Sequence, residues 1–417
     1  MTQAGHDLVV FGATSFVGQI LCRYLARTFG VDGPLKWAVA GRSRAKLEGV
    51  RNGLGPEAKD LPLIVADAAD EAALAAMCRD TRAVVSTVGP YALYGEPLVK
   101  VCAEGGTDYC DLTGEVPWIA RMIERYENAA KASGARIVHC CGFDSLPSDL
   151  GVYFMQNEAR RRFGAPLTRI KTRVRAMRGG ASGGTIASMM NIAKEMAADP
   201  GLRRRMANPY SLVPKADAPS ARQPSLSTIA YDPDFHRWQA PFVMAAINTR
   251  VVHRSNALSG FAYGRDFLYD EAMLTGEGVR GRLRAYGLAG GLSAFVGGTA
   301  FSPTRRLLQR FVPAPGEGPT PEQQEKGFFD FRFVGRTADG RTLRGKVAGQ
   351  GDPGYGSTSK MLGQAAACLV LDIGKQDKPG GFWTPATIFG DRLIDRLRTY
   401  SDVTFEILDA EEKPAAP

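Results

Sequence analysis

Six short apolar runs alternate with helix-like stretches over the first 150 residues, and no other feature restricts the fold of this chain as strongly. The runs are Leu8 to Phe11, Trp37 to Ala40, Leu63 to Val65, Ala83 to Val88, Tyr109 to Leu112 and Arg136 to Cys140. Short Val- and Ile-rich runs with amphipathic segments between them form the pattern of parallel βαβ units, whose strands are covered on both faces. Helices are expected at Val17 to Thr28, Arg44 to Leu54, Glu71 to Cys78, Gly95 to Glu104 and Val116 to Ser133. The prediction is an α/β chain opening with a doubly wound parallel sheet of Rossmann type.

At 417 residues the chain exceeds what one core ordinarily holds, so two domains are expected. After Asp149 the pattern changes: Thr168 to Met177 and Phe328 to Val334 alternate like half-exposed strands. Asp339-Gly340 between Phe333 and Arg341–Val347 is a hairpin signal. An antiparallel or mixed sheet is expected here, covered by helices at Thr185 to Ala198 and Ser357 to Asp372. Pro209 to Pro224 and Pro313 to Pro321 read as surface loops.

The net charge of +9 is partly concentrated in Arg160–Arg162 and Arg203–Arg205. No aromatic residues are interleaved there for base stacking, so nucleic acid is not an expected partner and the runs read as solvated helix faces. Seven cysteines, with no Cys-x-x-Cys pair and no histidine at zinc spacing, read as reduced thiols of a cytoplasmic protein without a metal site. The first residues lack the pattern of a secretory signal.

From Ala285 to Thr304 twenty residues carry no charge, with Arg280, Arg282 and Arg284 before them and Arg305, Arg306 and Arg310 after. Five glycines make a membrane span an unfavourable reading. Two expectations stand: a Gly-rich internal or oligomer-interface helix pair, as in a homodimer, or a peripheral membrane contact with the arginines on anionic lipid.

Gly12-Ala13-Thr14-Ser15-Phe16-Val17-Gly18 follows the first strand and opens a helix, the context of a dinucleotide-binding loop. Gly12 permits the tight turn and Gly18 close helix packing, so Thr14 to Val17 would face a pyrophosphate at the helix N-terminus. Ser15 stands where the middle glycine usually sits, and its hydroxyl can bond a phosphate. After the second strand comes Gly41-Arg42-Ser43, with no acid to take a ribose 2′-hydroxyl. Arg42, with Ser43 and Lys46, is suited to a 2′-phosphate, so NADP(H) is the expected cofactor. Asp67 after the third strand would accept from the adenine amino group or cap the next helix. Val88-Gly89-Pro90-Tyr91 and Cys141 to Pro147 end the fourth and sixth strands, where ligands of such sheets bind.

Taken together, these segments resemble the saccharopine dehydrogenase-like reductases, and more closely the mycobacterial trans-acting enoyl reductases. Further shared segments are Thr87 to Tyr91, Asp108 to Glu115, Gly142 to Ser145, Ser182 to Thr185, Asn248-Thr249-Arg250, Asp352 to Tyr355 and Trp383-Thr384-Pro385. The family usually carries glycine where Ser15 stands. The resemblance implies an NADP-binding Rossmann domain (1–150), an inserted α+β substrate or oligomerisation domain (151–352), and C-terminal helices with a strand (353–417) returning toward the first domain. It implies reduction of an unsaturated acyl chain on a lipid intermediate or a polyketide synthase, and some relatives associate with membranes.

For such chemistry Tyr91 is the first hydrogen-bond donor to consider, its alternative role being to pack over the cofactor ring. Asp144 and Ser145 would position the carboxamide or substrate, or cap the following helix. His139, inside a strand, reads as core. A short-chain dehydrogenase would need Tyr-x-x-x-Lys, which does not occur. A saccharopine-type amino-acid dehydrogenase would need cations such as Arg175, Arg178 and Arg250 on substrate carboxylates. A non-catalytic lipid-surface protein is the third reading.

Overall fold

The computed structural model describes residues 5–179, 183–225, 227–300 and 318–408. Its strands are β1 (His6–Phe11), β2 (Trp37–Gly41), β3 (Leu63–Val65), β4 (Thr81–Ser86), β5 (Asp108–Asp111), β6 (Arg136–Val138) and β7 (Leu167–Arg178). They continue with β8 (Ala230–Asp232), β9 (Arg237–Pro241), β10 (Leu268–Gly276), β11 (Phe328–Thr337), β12 (Thr342–Gln350), β13 (Gly381–Trp383) and β14 (Val403–Leu408).

The first sheet is wholly parallel, in the order β13-β6-β5-β4-β1-β2-β3. Leu8, Val9, Val10, Val39, Val84 and Val85 are fully buried, as strands covered on both faces require. β4 and β6 leave the ladder earlier than their apolar runs, at Ser86 and Val138. Residues 87–90 and 139–145 are thereby freed as loops at the carboxyl edge.

The second sheet is mixed, in the order β14-β12-β11-β7-β10-β9-β8, with β7 and β10 as its parallel pair. Gly340, at φ +89°, closes the β11–β12 hairpin by donating to Thr337 O at 3.1 Å.

The covering helices are not those expected from sequence. Leu146–Phe163 lies on β7, β11 and β12, and Ala245–Leu258 on β10. The helix Gly356–Leu371 packs on the first sheet, against β1, β4 and β5. It is buried nearly all round, from Ser357 to Val370, which only a site between layers accommodates.

The C-terminal segment divides between the sheets. β13 extends the first beside β6, and β14 extends the second beside β12. Arg136 holds this return: it pairs with Asp108 at 2.5 Å and donates to the carbonyls of Leu369 and Ile373. A second anchor is Asp149, which accepts from Ser255 Oγ and Ala386 N and so joins three helices.

Residues 278–300 form one continuous helix, Gly278–Ala300, against β9, β10 and the helix Gly183–Ala198. It is not internal: a Cβ at Gly287, Gly290, Gly291 or Gly297 would meet no atom within 4 Å. Residues 301–304 of the uncharged stretch lie outside the described residues. No helix among the described residues is long and apolar enough to cross a membrane.

Candidate active site and its relatives

The loop after β1 is built around two glycines. Gly12 has φ +86°, and a Cβ there would lie 2.6 Å from Val88 Cγ2 and 2.8 Å from Thr87 Oγ1. A Cβ at Gly18 would lie 2.2 Å from Gly12 O, so the helix Phe16–Phe29 approaches the loop as only glycine allows. The Ser15 hydroxyl is the N-cap, accepting from Gly18 N at 2.9 Å and lying 3.0 Å from Thr87 Oγ1. Its small side chain holds the β1 loop to the β4 loop. Thr14 Oγ1 faces Gly41 at the end of β2, Val17 lies in the first turn, and the Phe16 ring meets the edge of Tyr355 at 4.7 Å.

Beyond β2, Arg42 and Lys46 are exposed. Glu48 is taken by Arg44 at 3.1 Å, and no carboxylate pairs with Arg42 or Lys46 among the described residues. The Ser43 hydroxyl caps the next helix, accepting from Lys46 N at 3.4 Å. Asp67 Oδ1 accepts from Ala69 N at 2.9 Å, while the cap of the helix Glu71–Arg79 is Asp70. A glycine cradle, a helix N-terminus with only the Gly18 N–H taken by its cap, and an arginine after β2 that is unpaired among the described residues fit a dinucleotide with a 2′-phosphate.

At the other half of the edge, Tyr91 is 4% exposed and its hydroxyl donates to Ser86 O at 2.9 Å. Burial and the Asp111 carboxylate push its phenol well above the ordinary value. The hydroxyl is therefore engaged in the fold. Val88, Gly89 and Pro90 form the loop beside it, and a Cβ at Gly89 would meet nothing nearer than 3.6 Å. Ser145 is fully buried and donates to Asn248 Oδ1 at 3.0 Å, while Asn248 Nδ2 donates to Glu271 at 2.9 Å. Its hydroxyl thus ties the first domain to β10.

Asp144 is different. It is partly exposed, forms no hydrogen bond among the described residues, and burial of its carboxyl raises it to about 7. A Cβ at Gly114 would lie 3.4 Å from Asp144 Oδ2 and 3.8 Å from Met244 Cε, so the carboxyl and an apolar side chain of the second domain both approach the Gly114 backbone.

Glu115 escaped sequence reading, and for His139, read as core, the sequence did not supply the partner. Glu115 accepts from Tyr91 N at 2.8 Å, Ala92 N at 2.9 Å and Ser188 Oγ at 2.7 Å, linking the β4 loop to the second domain. His139 Nδ1 lies 2.7 Å from Asp111 Oδ2, a pair that forms because β5 and β6 are neighbours. The only sequence signal for Glu115 was its place in the segment Asp108 to Glu115.

Residues 8–138 match the saccharopine dehydrogenase NADP binding domain. A trans-acting enoyl reductase of Mycobacterium tuberculosis H37Rv is 38% identical over 408 residues, 94% of this chain and 95% of its own. The chain belongs to the trans-acting enoyl reductase branch of the saccharopine dehydrogenase-like family. A Mycobacterium ulcerans trans-acting enoyl reductase is 35% identical over 412 residues, 95% of this chain and 96% of its own. A second protein of the H37Rv strain, whose description assigns that activity provisionally, is 41% identical across 95% of this chain and 96% of its own. Among solved structures, apo saccharopine dehydrogenase (L-Glu forming) from Saccharomyces cerevisiae shares the fold, with a TM-score of 0.52 at 14% identity over 97% of this chain and all of that one. Like its family, the chain is an NADP-dependent oxidoreductase. The 2′-phosphate reading of Arg42 accords with that cofactor.

Proposed function

We propose that this reductase saturates the double bond of an α,β-unsaturated acyl group carried by a separate partner such as a polyketide synthase, with Asp144 as the proton donor. When bound, NADPH supplies the hydride. The chain's own contribution is to orient the acyl group and to protonate the α-carbon. Asp144 carries the reading: a carboxyl raised to about 7 is protonated in about half of the molecules at neutral pH, and no hydrogen bond among the described residues engages it. Relatives named trans-acting enoyl reductase over nearly the whole chain support the substrate class. The word trans-acting supports a carrier on another protein.

The amino-acid dehydrogenase reading is weakened by the proposed arginines. Arg250 is buried and donates to the carbonyls of Ala246 and Met206, and Arg175 pairs with Asp330. Arg178 alone of the three is exposed without such a partner among the described residues. The test is NADPH oxidation with a crotonyl-pantetheine thioester. Asp144→Asn is expected to lower kcat by about a hundredfold or more while NADPH affinity holds. Full turnover by Asp144→Asn removes the proton-donor role; turnover of saccharopine in place of the enoyl thioester removes the substrate class.

A further inference from the structure

The helix Gly278–Ala300 touches the protein along one narrow stripe and leaves most of its circumference to solvent. Gly281 and Ala285 are buried, with Ala289 and Leu292 half-buried, at the three- and four-residue spacing of a single helix face. At 3.6 residues per turn, Val279, Leu283 and Tyr286 fall together on another face. These three are 74%, 64% and 54% exposed. Large apolar side chains clustered on a surface, rather than scattered, mark a contact with something else.

The charges identify what that is. Helical spacing sets Arg280 and Arg284 on one flank of the stripe and Arg282 on the other, and all three are exposed. None is paired with a carboxylate among the described residues, and the helix contains no Asp or Glu. The Arg282 guanidinium lies over the Trp238 ring at 5.2 Å and the Tyr286 ring at 5.8 Å, so this exposed charge sits on aromatic surface rather than on a carboxylate. Tyr231 is exposed beside Trp238, their rings 5.9 Å apart. An apolar stripe with two arginines on one flank and one on the other, rimmed by tyrosine and tryptophan, matches the interface of an anionic bilayer. There apolar side chains enter the acyl boundary, arginines reach headgroup phosphates, and amphipathic aromatic rings sit between.

We infer that this helix docks the protein on an anionic lipid surface, lying in the membrane plane with Val279, Leu283 and Tyr286 inserted and Arg280, Arg282 and Arg284 on headgroup phosphates. The inference is independent of the reaction proposed above. A second copy of the chain fits less well, because a two-fold contact would set these arginines against one another without a carboxylate to offset them.

The test is flotation of the full-length protein with phosphatidylcholine vesicles containing about one-third phosphatidylglycerol, and with phosphatidylcholine alone. Binding is expected to the anionic vesicles and to weaken with added salt. Leu283→Asp/Tyr286→Asp should lower the bound fraction by about tenfold or more, and Arg280→Gln/Arg284→Gln should abolish the preference for anionic lipid, with NADPH binding intact in both. Absence of the wild-type protein from the floated fraction overturns the inference, as does equal binding by Leu283→Asp/Tyr286→Asp. A solution dimer that this pair of substitutions converts to monomer assigns the face to a second copy and equally overturns it, and so does loss of binding to a carrier synthase with vesicle binding retained.

Discussion

The Tyr91 hydroxyl donates to the carbonyl of Ser86, the last residue of β4, and so clasps the start of the helix Tyr91–Tyr94 back onto the strand that precedes it. A phenol held this way stabilises the loop rather than the reaction. Tyr91→Phe is expected to cost about 1 kcal/mol of stability, the usual worth of one neutral hydrogen bond, measured by denaturant unfolding. Turnover should stay within about threefold of wild type, since the general-acid contribution of about a hundredfold or more resides elsewhere. A drop of that larger size would return the donor role to Tyr91.

Arg42 should govern the choice of cofactor. Because Arg42 is exposed and pairs with no carboxylate among the described residues, Arg42→Ala is expected to weaken NADPH by about tenfold or more and leave NADH nearly unchanged, since only the former carries the 2′-phosphate. Fluorescence titration with both nucleotides reads the ratio. Equal losses for the two would assign Arg42 to general folding.

Gly12→Ala combines two penalties. The added methyl meets Val88 and Thr87, and the φ of +86° is unfavourable for any side chain. A loss of about 1–3 kcal/mol is expected in chemical denaturation, with NADPH binding weakened if the displaced β4 loop borders the nucleotide as proposed. Gly89→Ala, whose Cβ has room within the chain, should fold normally.

The raised carboxyl of Asp144 makes turnover depend on pH in a definite direction. The protonated form is the donor, so kcat is expected to fall as pH rises through about 7 and to be flat over that range in the residual activity of Asp144→Asn. The same shift has a consequence for stability. A carboxyl whose folded value lies above its unfolded one binds more protons in the native state. Its stabilising contribution is complete below about pH 4 and is lost as pH rises through about 7. Asp149, also raised to about 7 by burial, adds in the same sense. Thermal melts between pH 5 and 8 should show the decline, and Asp149→Asn should reduce it.

Much of the nucleotide half was legible in the sequence because its determinants are close along the chain. Gly12 and Gly18 act on each other across one turn, and Ser15 caps the helix that begins at the next residue. Arg42 follows directly from where β2 ends. Apolar runs of strand length separated by helical stretches likewise left few choices other than a parallel sheet.

Other features depended on tertiary packing. Ser145 and Asn248 are 103 residues apart, and a hydroxyl that sequence placed near substrate proved to be buried in an interdomain network. Asp111 meets His139 only because the strand order sets β5 beside β6. The helix Gly356–Leu371, with small, apolar and polar residues spread round its circumference, carried no signal of which sheet it would cover; its place was decided where a helix buried nearly all round could be enclosed. Local backbone and capping energies act over a few residues and are written in the sequence. Which surfaces exclude water together depends on the whole chain, and that decided which polar groups were committed to the fold and left Asp144 without a hydrogen bond among the described residues.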